Sequence, residues 1–183
     1  RQVVRGDVRQ ADMALAFAAT VEGRRVVVER AHLRAGAGEL RGSGHLDLDG
    51  ARAFLVSARA TKFDPARFVA VPASALEGTV EARGTLAPTW DVAASVVLDK
   101  ASRLAGHAAS GTARARVTPG VAKDVAVDVR IGSAVLKLDG AYGGPGDALA
   151  YALDVPRLAD VAPLVARFAK DAVPPQVAGA LVA

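Results

Sequence analysis

Cysteine is absent from the 183-residue sequence, and aromatic residues make up only 4% of it. Without cysteine the chain forms no disulfide and offers no thiol as a nucleophile or metal ligand. No run of eighteen apolar residues occurs, so no segment predicts a membrane-spanning helix. Hydrophobic residues nevertheless reach 51%, so the apolar surface of the fold must be built mainly from small side chains such as alanine and valine.

The charge balance is basic, with a net charge of +4 and a pI near 9.8. The arginines are spread along nearly every segment, and no basic cluster is interleaved with aromatic residues. A nucleic-acid-binding surface normally concentrates both. We therefore expect no nucleic-acid partner, and we interpret the charge as a solvated basic face that can meet phosphate headgroups.

Apolar and polar residues alternate with a period of two, most clearly in the segment 124–142. On one side of an extended strand this alternation places Val125, Val127, Val129 and Ile131, and charged residues occupy the other side. Gly132–Ser133 then provides a tight turn, after which the alternation resumes. The segment predicts a hairpin with one apolar face and one solvated face.

The same alternation recurs along most of the chain and predicts an all-β fold, an elongated and curled antiparallel sheet. We expect bulges within 24–35 and near Ser110–Gly111, where the alternation shifts or glycine interrupts it. Asp64 and Pro65 predict a short helical turn in 63–68, and spacing of three and four predicts a short helix near 157–170. The small apolar residues fit either a tight closed sandwich or an open groove with an apolar interior.

A segment near residue 70 is echoed near residue 172, which indicates an internal repeat. Residues 1–183 are therefore expected to form one elongated β-groove segment, a fragment of a longer repeat protein. Its full repeat spans roughly 70–171, and partial repeats occupy 1–69 and 172–183.

Residues with chemical potential do not assemble into a recognisable catalytic set. His45, Asp47 and Asp49 share one face of a strand, but no further metal ligands are evident. Gly42–Ser43–Gly44 does not match a nucleophile elbow, and the glycine loop 143–146 precedes a strand rather than a helix. His32 has no evident partner and is expected to be solvated. We expect no enzyme activity, no metal and no cofactor.

A series of motifs resembles the repeat region of the TamB family, the inner-membrane-anchored subunits of the translocation and assembly module, and more distantly the AsmA-like proteins. The motifs lie in residues 38–48, 63–65, 76–84, 102–106, 140–147 and 153–159. The resemblance implies a β-taco fold in the periplasm of a Gram-negative cell envelope, within a protein anchored in the inner membrane. It implies membrane contact only through regions outside this chain.

The resemblance also implies a function in outer-membrane biogenesis. The expected function is lipid transport, with phospholipid acyl chains carried in the apolar groove between the two membranes. One alternative is chaperone-like binding of nascent β-strands during protein secretion and barrel assembly with TamA or another outer-membrane barrel; another is a structural spacer. The expected groove residues are Leu46, Leu48, Val56, Val80, Val96, Leu98, Val127, Val129, Leu136, Leu138, Tyr151 and Leu153.

Overall fold

β-Strands form almost all of the structure, a computed structural model that describes residues 1–156. Alternation of apolar and polar residues produces strands because successive side chains point to opposite faces of a sheet. The strands are β1 Gln2–Gln10, β2 Met13–Glu22, β3 Arg25–Ala35, β4 Gly38–Asp47, β5 Ala53–Phe63, β6 Ser74–Thr85, β7 Asp91–Leu98, β8 Arg103–Leu104, β9 His107–Thr118, β10 Val121–Ile131, β11 Ala134–Tyr142 and β12 Leu149–Asp154.

These strands form one antiparallel sheet in which neighbours in sequence are neighbours in space. The short strand β8 pairs with β6 and β9, as β7 does, so β8 continues the line of β7. Residues 99–102 form the break between them. Both β7 and β8 thus pair with β6 on one side and with β9 on the other. These four strands form a closed ring of paired strands in the described sheet.

The hairpin predicted in residues 124–142 is confirmed. Ile131 stands opposite Ala134, and Gly132–Ser133 forms the two-residue turn between β10 and β11. Gly132 has a φ of +59°, a conformation that glycine adopts without steric cost. The all-β class and the curled antiparallel sheet are confirmed with it.

Bulges interrupt the pairing at several places and bend the strands that carry them. The predicted bulge in β3 is confirmed, because the register shifts between Val28 and Ala31. Near Ser110–Gly111, where a bulge is predicted, β9 pairs with β10 in regular register, and the irregularity lies on its other side, where the pairing passes from β7 to β8 with a shift of two residues. A further irregularity lies in the neighbouring strand β10, whose register against β9 shifts between Lys123 and Ala126. Asp124, inside this shift, has a φ of +52°.

The predicted turn after β5 is confirmed as a 3₁₀ turn, Pro65–Arg67. Asp64 caps it, because its carboxylate accepts hydrogen bonds from Ala66 N at 3.1 Å and Ser74 N at 3.0 Å. The loop also reaches the β1–β2 turn, where Arg67 pairs with Asp12. The helix expected near 157–170 and the partial repeat 172–183 lie outside the described residues.

Among residues 1–156 the sheet is a single layer. The buried apolar residues there are alanines only, and elements in extensive contact are neighbours in the sheet. No second sheet packs on the apolar face within this range, so the closed sandwich is wrong for it and the open, curled sheet is the arrangement adopted. No helix in the described part of the chain is long and apolar enough to cross a bilayer.

Candidate functional site

One face of the sheet carries no charged side chain along three adjacent rows of cross-strand neighbours, and we call it the apolar face. Residues that stand opposite one another in neighbouring strands share a face. The first row is Val4, Ala19, Val28, Gly44, Val56, Ala82, Ala94 and Ala115. The second is Gly6, Phe17, Ala31, Gly42, Ala58, Val80, Val96, Ala113, Val127, Leu138 and Tyr151.

The third row is Val8, Leu15, Leu33, Leu40, Ala60, Gly78, Leu98, Gly111, Val129, Leu136 and Leu153. The second and third rows run from β1 to β12. With strands about 4.8 Å apart, the apolar face extends for about 48 Å across the sheet. Such continuity requires that every strand keep its register, because a slip of one residue would turn charged side chains onto this face.

The residues expected from the sequence to line a groove lie together on this face, with one exception. Val96 and Val127 face Ala113 from either side, and Leu136 and Leu138 face Leu153 and Tyr151. Leu46 and Val56 belong to the same face through β4 and β5. Leu48 is the exception, because it follows the end of β4 and lies outside the pairing of that strand with β3 and β5.

A cavity of about 570 Å³ indents the apolar face over β2 to β5. Gly42 and Gly44 form part of its floor because they carry no side chain, and the larger Leu33 and Leu46 lie toward its two ends. This volume lies within the range of pockets that hold small-molecule ligands. The cavity is lined by Leu15, Val26, Val28, Ala31, Leu33, Leu40, Gly42, Ser43, Gly44, His45, Leu46, Phe54, Val56, Ala58 and Leu86.

Leu86 lines the cavity from beyond the end of β6, where it continues the alternation of apolar residues in that strand. It lies in the loop between β6 and β7, where its backbone N donates a 3.0 Å hydrogen bond to Ala51 O. That hydrogen bond ties the loop to the β4–β5 connection and brings the side chain beside the cavity. Alternation therefore indicates the face on which Leu86 lies, whereas its contact with the β4–β5 connection depends on tertiary pairing.

Large apolar side chains on this face remain accessible to solvent within the described structure. Val80 is 39% exposed, Val56 46%, Leu153 63% and Tyr151 79%. Soluble monomers rarely expose contiguous apolar patches larger than a few hundred square ångströms. An apolar face that spans the whole sheet is therefore typical of a surface that receives a ligand or a partner.

The opposite face carries the charged side chains of the strands, and several of them form ion pairs with a neighbouring strand. The Asp91 carboxylate accepts two hydrogen bonds from Arg116, at 2.8 and 2.6 Å. The hydrogen bonds and charge of Arg116 lower the pKa of Asp91 below its ordinary value. Lys137 pairs with Asp128 at 3.4 Å across β10 and β11. These contacts leave the polar face suited to water.

The structure describes the surroundings of two histidines, His32 and His45. His32 was expected to lack a partner, and this is wrong: its Nε2 donates to Glu39 Oε2 at 2.7 Å. That hydrogen bond is the main reason why the pKa of Glu39 lies below its ordinary value, with a smaller contribution from Arg41. Near His45, Asp47 and Asp49 pair with Arg25 and Arg24 respectively. No cluster of potential metal ligands occurs in residues 1–156.

Comparison with known proteins adds no relative from which to transfer a function. No protein-family model, curated protein or solved structure matches this chain. The charge-free face and its cavity are therefore the features on which a functional proposal can be built.

Proposed function

We propose that this chain is a hydrophobic-groove segment that carries phospholipid acyl chains, without enzymatic activity or cofactor. The observation that carries the proposal is the continuous apolar face, which no described element covers. Water in contact with such a surface is unfavourable by about 25 cal/mol per Å² of apolar area. A hydrocarbon ligand removes that cost, whereas a polar ligand does not.

Acyl chains match the dimensions and chemistry of the face. Half of a bilayer's hydrocarbon core is about 15 Å thick, so one extended acyl chain is shorter than the face in its long direction. Burial of each methylene group contributes about 0.8 kcal/mol. Alanine, valine and glycine at most positions leave a smooth surface, indented by the broad cavity over β2 to β5, which suits an unbranched flexible chain. The charged headgroup can stay in water at the open edge of the curled sheet.

The motif resemblance to the TamB family supports a location for this activity. We place the chain in the periplasm, within a longer protein anchored in the inner membrane, where it would move phospholipid between the two membranes and support outer-membrane integrity. The basic charge of +4 is compatible with phosphate headgroups near the polar rim.

Two adjacent valines on opposite faces of β7 provide a matched test. Val96 lies on the apolar face, opposite Val80 and Ala113, whereas Val97 lies on the polar face, opposite Thr79 and Thr112. A photo-crosslinking residue at each position is exposed to vesicles of phosphatidylethanolamine and phosphatidylglycerol. We expect lipid adducts at position 96 and few at position 97. Equal labelling at both positions would refute the assignment.

Charge substitution at the same pair gives a second readout. Val96→Asp places a carboxylate against hydrocarbon at a cost of several kcal/mol, so lipid capture should fall sharply. Val97→Asp introduces the same charge into the same strand but faces water, and lipid capture should stay near the wild-type level. Both variants must first show the β-sheet circular dichroism spectrum of the wild type.

A second candidate function is the binding of nascent β-strands during outer-membrane protein assembly with TamA or another barrel. The outer edges of β1 and β12 support it, since neither pairs with another strand within residues 1–156. Strand addition at an open edge is a known mode of peptide recognition. This candidate predicts peptide adducts at the edges with no lipid adducts at position 96. A structural spacer predicts neither.

A further inference from the structure

A second cavity, of about 450 Å³, lies among the charged side chains of the polar face, between β5 and β10. We propose that it binds a phosphate ester that carries an ammonium group, the chemistry shared by free phosphoethanolamine and the headgroup of an ethanolamine phospholipid. The volume lies within the range of small-molecule sites. The sheet separates this cavity from the apolar face, so binding here is independent of whether lipid occupies that face.

The floor of the cavity has small side chains, and its walls have long charged ones. Ala93 and Ser95 of β7 form the floor. Four charged side chains flank these two positions from β6 and β9: Arg83 and Arg116 on either side of Ala93, and Glu81 and Arg114 on either side of Ser95. Strands about 4.8 Å apart place the two walls about 10 Å apart, which leaves room for a small ligand above β7. Three guanidinium groups and one carboxylate thus occupy the corners of the site.

One of the three arginines is held in place before any ligand binds. Asp91 accepts from Nε of Arg116 at 2.8 Å and from its Nη2 at 2.6 Å, and the remaining N–H groups of Arg116 stay free to donate. The hydrogen bonds from Arg116 to Asp91, and to a smaller extent the charge of Asp124, raise the pKa of Arg116. Asp124 also lines the cavity, and its charge is partly offset by Arg116. A fixed guanidinium loses less side-chain entropy on binding than a free one.

The other charged corners have no partner within residues 1–156. Arg83, Arg114 and Glu81 form no hydrogen bond or ion pair there, and the Ser95 hydroxyl forms no hydrogen bond. Guanidinium groups bind phosphate through several charge-assisted hydrogen bonds. Donors at three corners and the Ser95 hydroxyl on the floor match the several oxygens of a phosphate better than the two oxygens of a carboxylate.

Glu81 determines which phosphate compounds fit. Its carboxylate stands two residues from Arg83 on the same strand and would repel a simple phosphate. An ammonium group on the ester turns this repulsion into an ion pair. The unpaired corners comprise two positive groups and one negative group, and phosphoethanolamine, with about two negative charges on phosphate and one positive charge, is their complement.

Calorimetric titration of the full chain with phosphoethanolamine tests the site, and ethyl phosphate, which lacks the ammonium group, is the paired ligand. Phosphoethanolamine should bind about five- to tenfold more tightly, because only it pairs with Glu81. Glu81→Gln should remove this preference. Arg83→Gln and Arg114→Gln should each weaken the binding of both ligands about five- to tenfold.

Arg130→Gln is the matched control. Arg130 is an exposed arginine of β10 on the same face, outside the cavity and without an ion pair in the described part of the chain. Its replacement should leave both affinities unchanged. None of the four replaced side chains forms a hydrogen bond or ion pair within residues 1–156, so all variants should keep the wild-type circular dichroism spectrum.

Glycerophosphoethanolamine, the phosphodiester of the lipid headgroup without its acyl chains, identifies the source of the ligand. Tighter binding of this diester assigns the site to a lipid headgroup, and tighter binding of phosphoethanolamine assigns it to a free ester. Absence of saturable binding for all three compounds would overturn the proposal. Equal weakening by Arg130→Gln would also overturn it, because binding would then reflect general attraction to a basic protein. Equal affinity for phosphoethanolamine and ethyl phosphate would overturn the role of Glu81.

Discussion

Removal of a single buried hydroxyl, by Ser102→Ala, should destabilise the sheet where β7 passes into β8. Ser102 is fully buried, and its Oγ donates to Glu77 O at 2.8 Å and accepts from Glu77 N at 2.9 Å. In the variant Glu77 O keeps a hydrogen bond from Asp99 N, but Glu77 N–H loses its acceptor. Two hydrogen bonds contribute about 1 kcal/mol each, and an unsatisfied N–H costs about 1–3 kcal/mol. These terms overlap, so we expect a loss of about 2–3 kcal/mol in the free energy of unfolding.

Urea unfolding followed by circular dichroism measures this loss directly. For a chain of this size the same change lowers the melting temperature by about 5–10 °C. The matched control is Ser95→Ala, because Ser95 is exposed on the polar face and makes no side-chain hydrogen bond to any residue in 1–156. The control should stay within about 0.5 kcal/mol of wild type. Equal stabilities of the two variants would refute the role assigned to the Ser102 hydroxyl.

Two further predictions concern a glycine on the apolar face and a carboxylate on the polar face. Gly111→Ala should lower the free energy of unfolding by more than about 2 kcal/mol in the same urea experiment, because Gly111 has a φ of +145° and an added Cβ would lie 2.1 Å from Asp128 O. His32→Ala should raise the pKa of Glu39, measured by NMR titration of the carboxyl carbon, and should do so more than Arg41→Ala, since the His32 hydrogen bond is the larger cause of the lowered pKa. Because the pKa of Glu39 is lower in the folded than in the unfolded state, its carboxylate stabilises the fold above about pH 4.5, and this stabilisation is lost as the pH falls through the folded pKa. The His32→Ala variant should therefore lose less stability on acidification.

The strands and their faces could be predicted because apolar and polar residues alternate along them with few interruptions. Val127, Asp128 and Val129 carry opposite polarities at successive positions, and only an extended strand separates them onto two faces. Gly132–Ser133 then fixes the register between β10 and β11, because a two-residue turn leaves one way to pair the flanking residues. Sequence patterns of this kind are local, and the sheet keeps sequential order, so local patterns were sufficient for the topology.

Most irregularities of the sheet could not be predicted, because a bulge depends on how two strands match. The bulge in β3 could be predicted, since it shifts the alternation of the strand that carries it. Gly111 suggested a bulge in β9, yet it sits in regular register and is required there by the close approach of Asp128 O. Ser102 likewise acquires its role from a partner distant in sequence, Glu77. These contacts arise only once the strands are assembled.

The single-layer sheet has an energetic consequence for the proposed function. Most globular domains offset the conformational entropy of folding by burying large apolar side chains, whereas the described part of this chain buries only alanines among its apolar residues. Burial of its apolar face would therefore stabilise the sheet further, but only when a ligand or partner covers that face. Under the proposed function the acyl chain supplies that cover, and ligand that binds only the folded sheet stabilises it by mass action. The folded sheet would then be less stable when the groove is empty and more stable when an acyl chain fills it, so its stability would depend on the bound lipid. That coupling gives a physical reason for keeping the face continuous and free of charge from β1 to β12, since any interruption would reduce both the affinity for hydrocarbon and the stability that hydrocarbon provides.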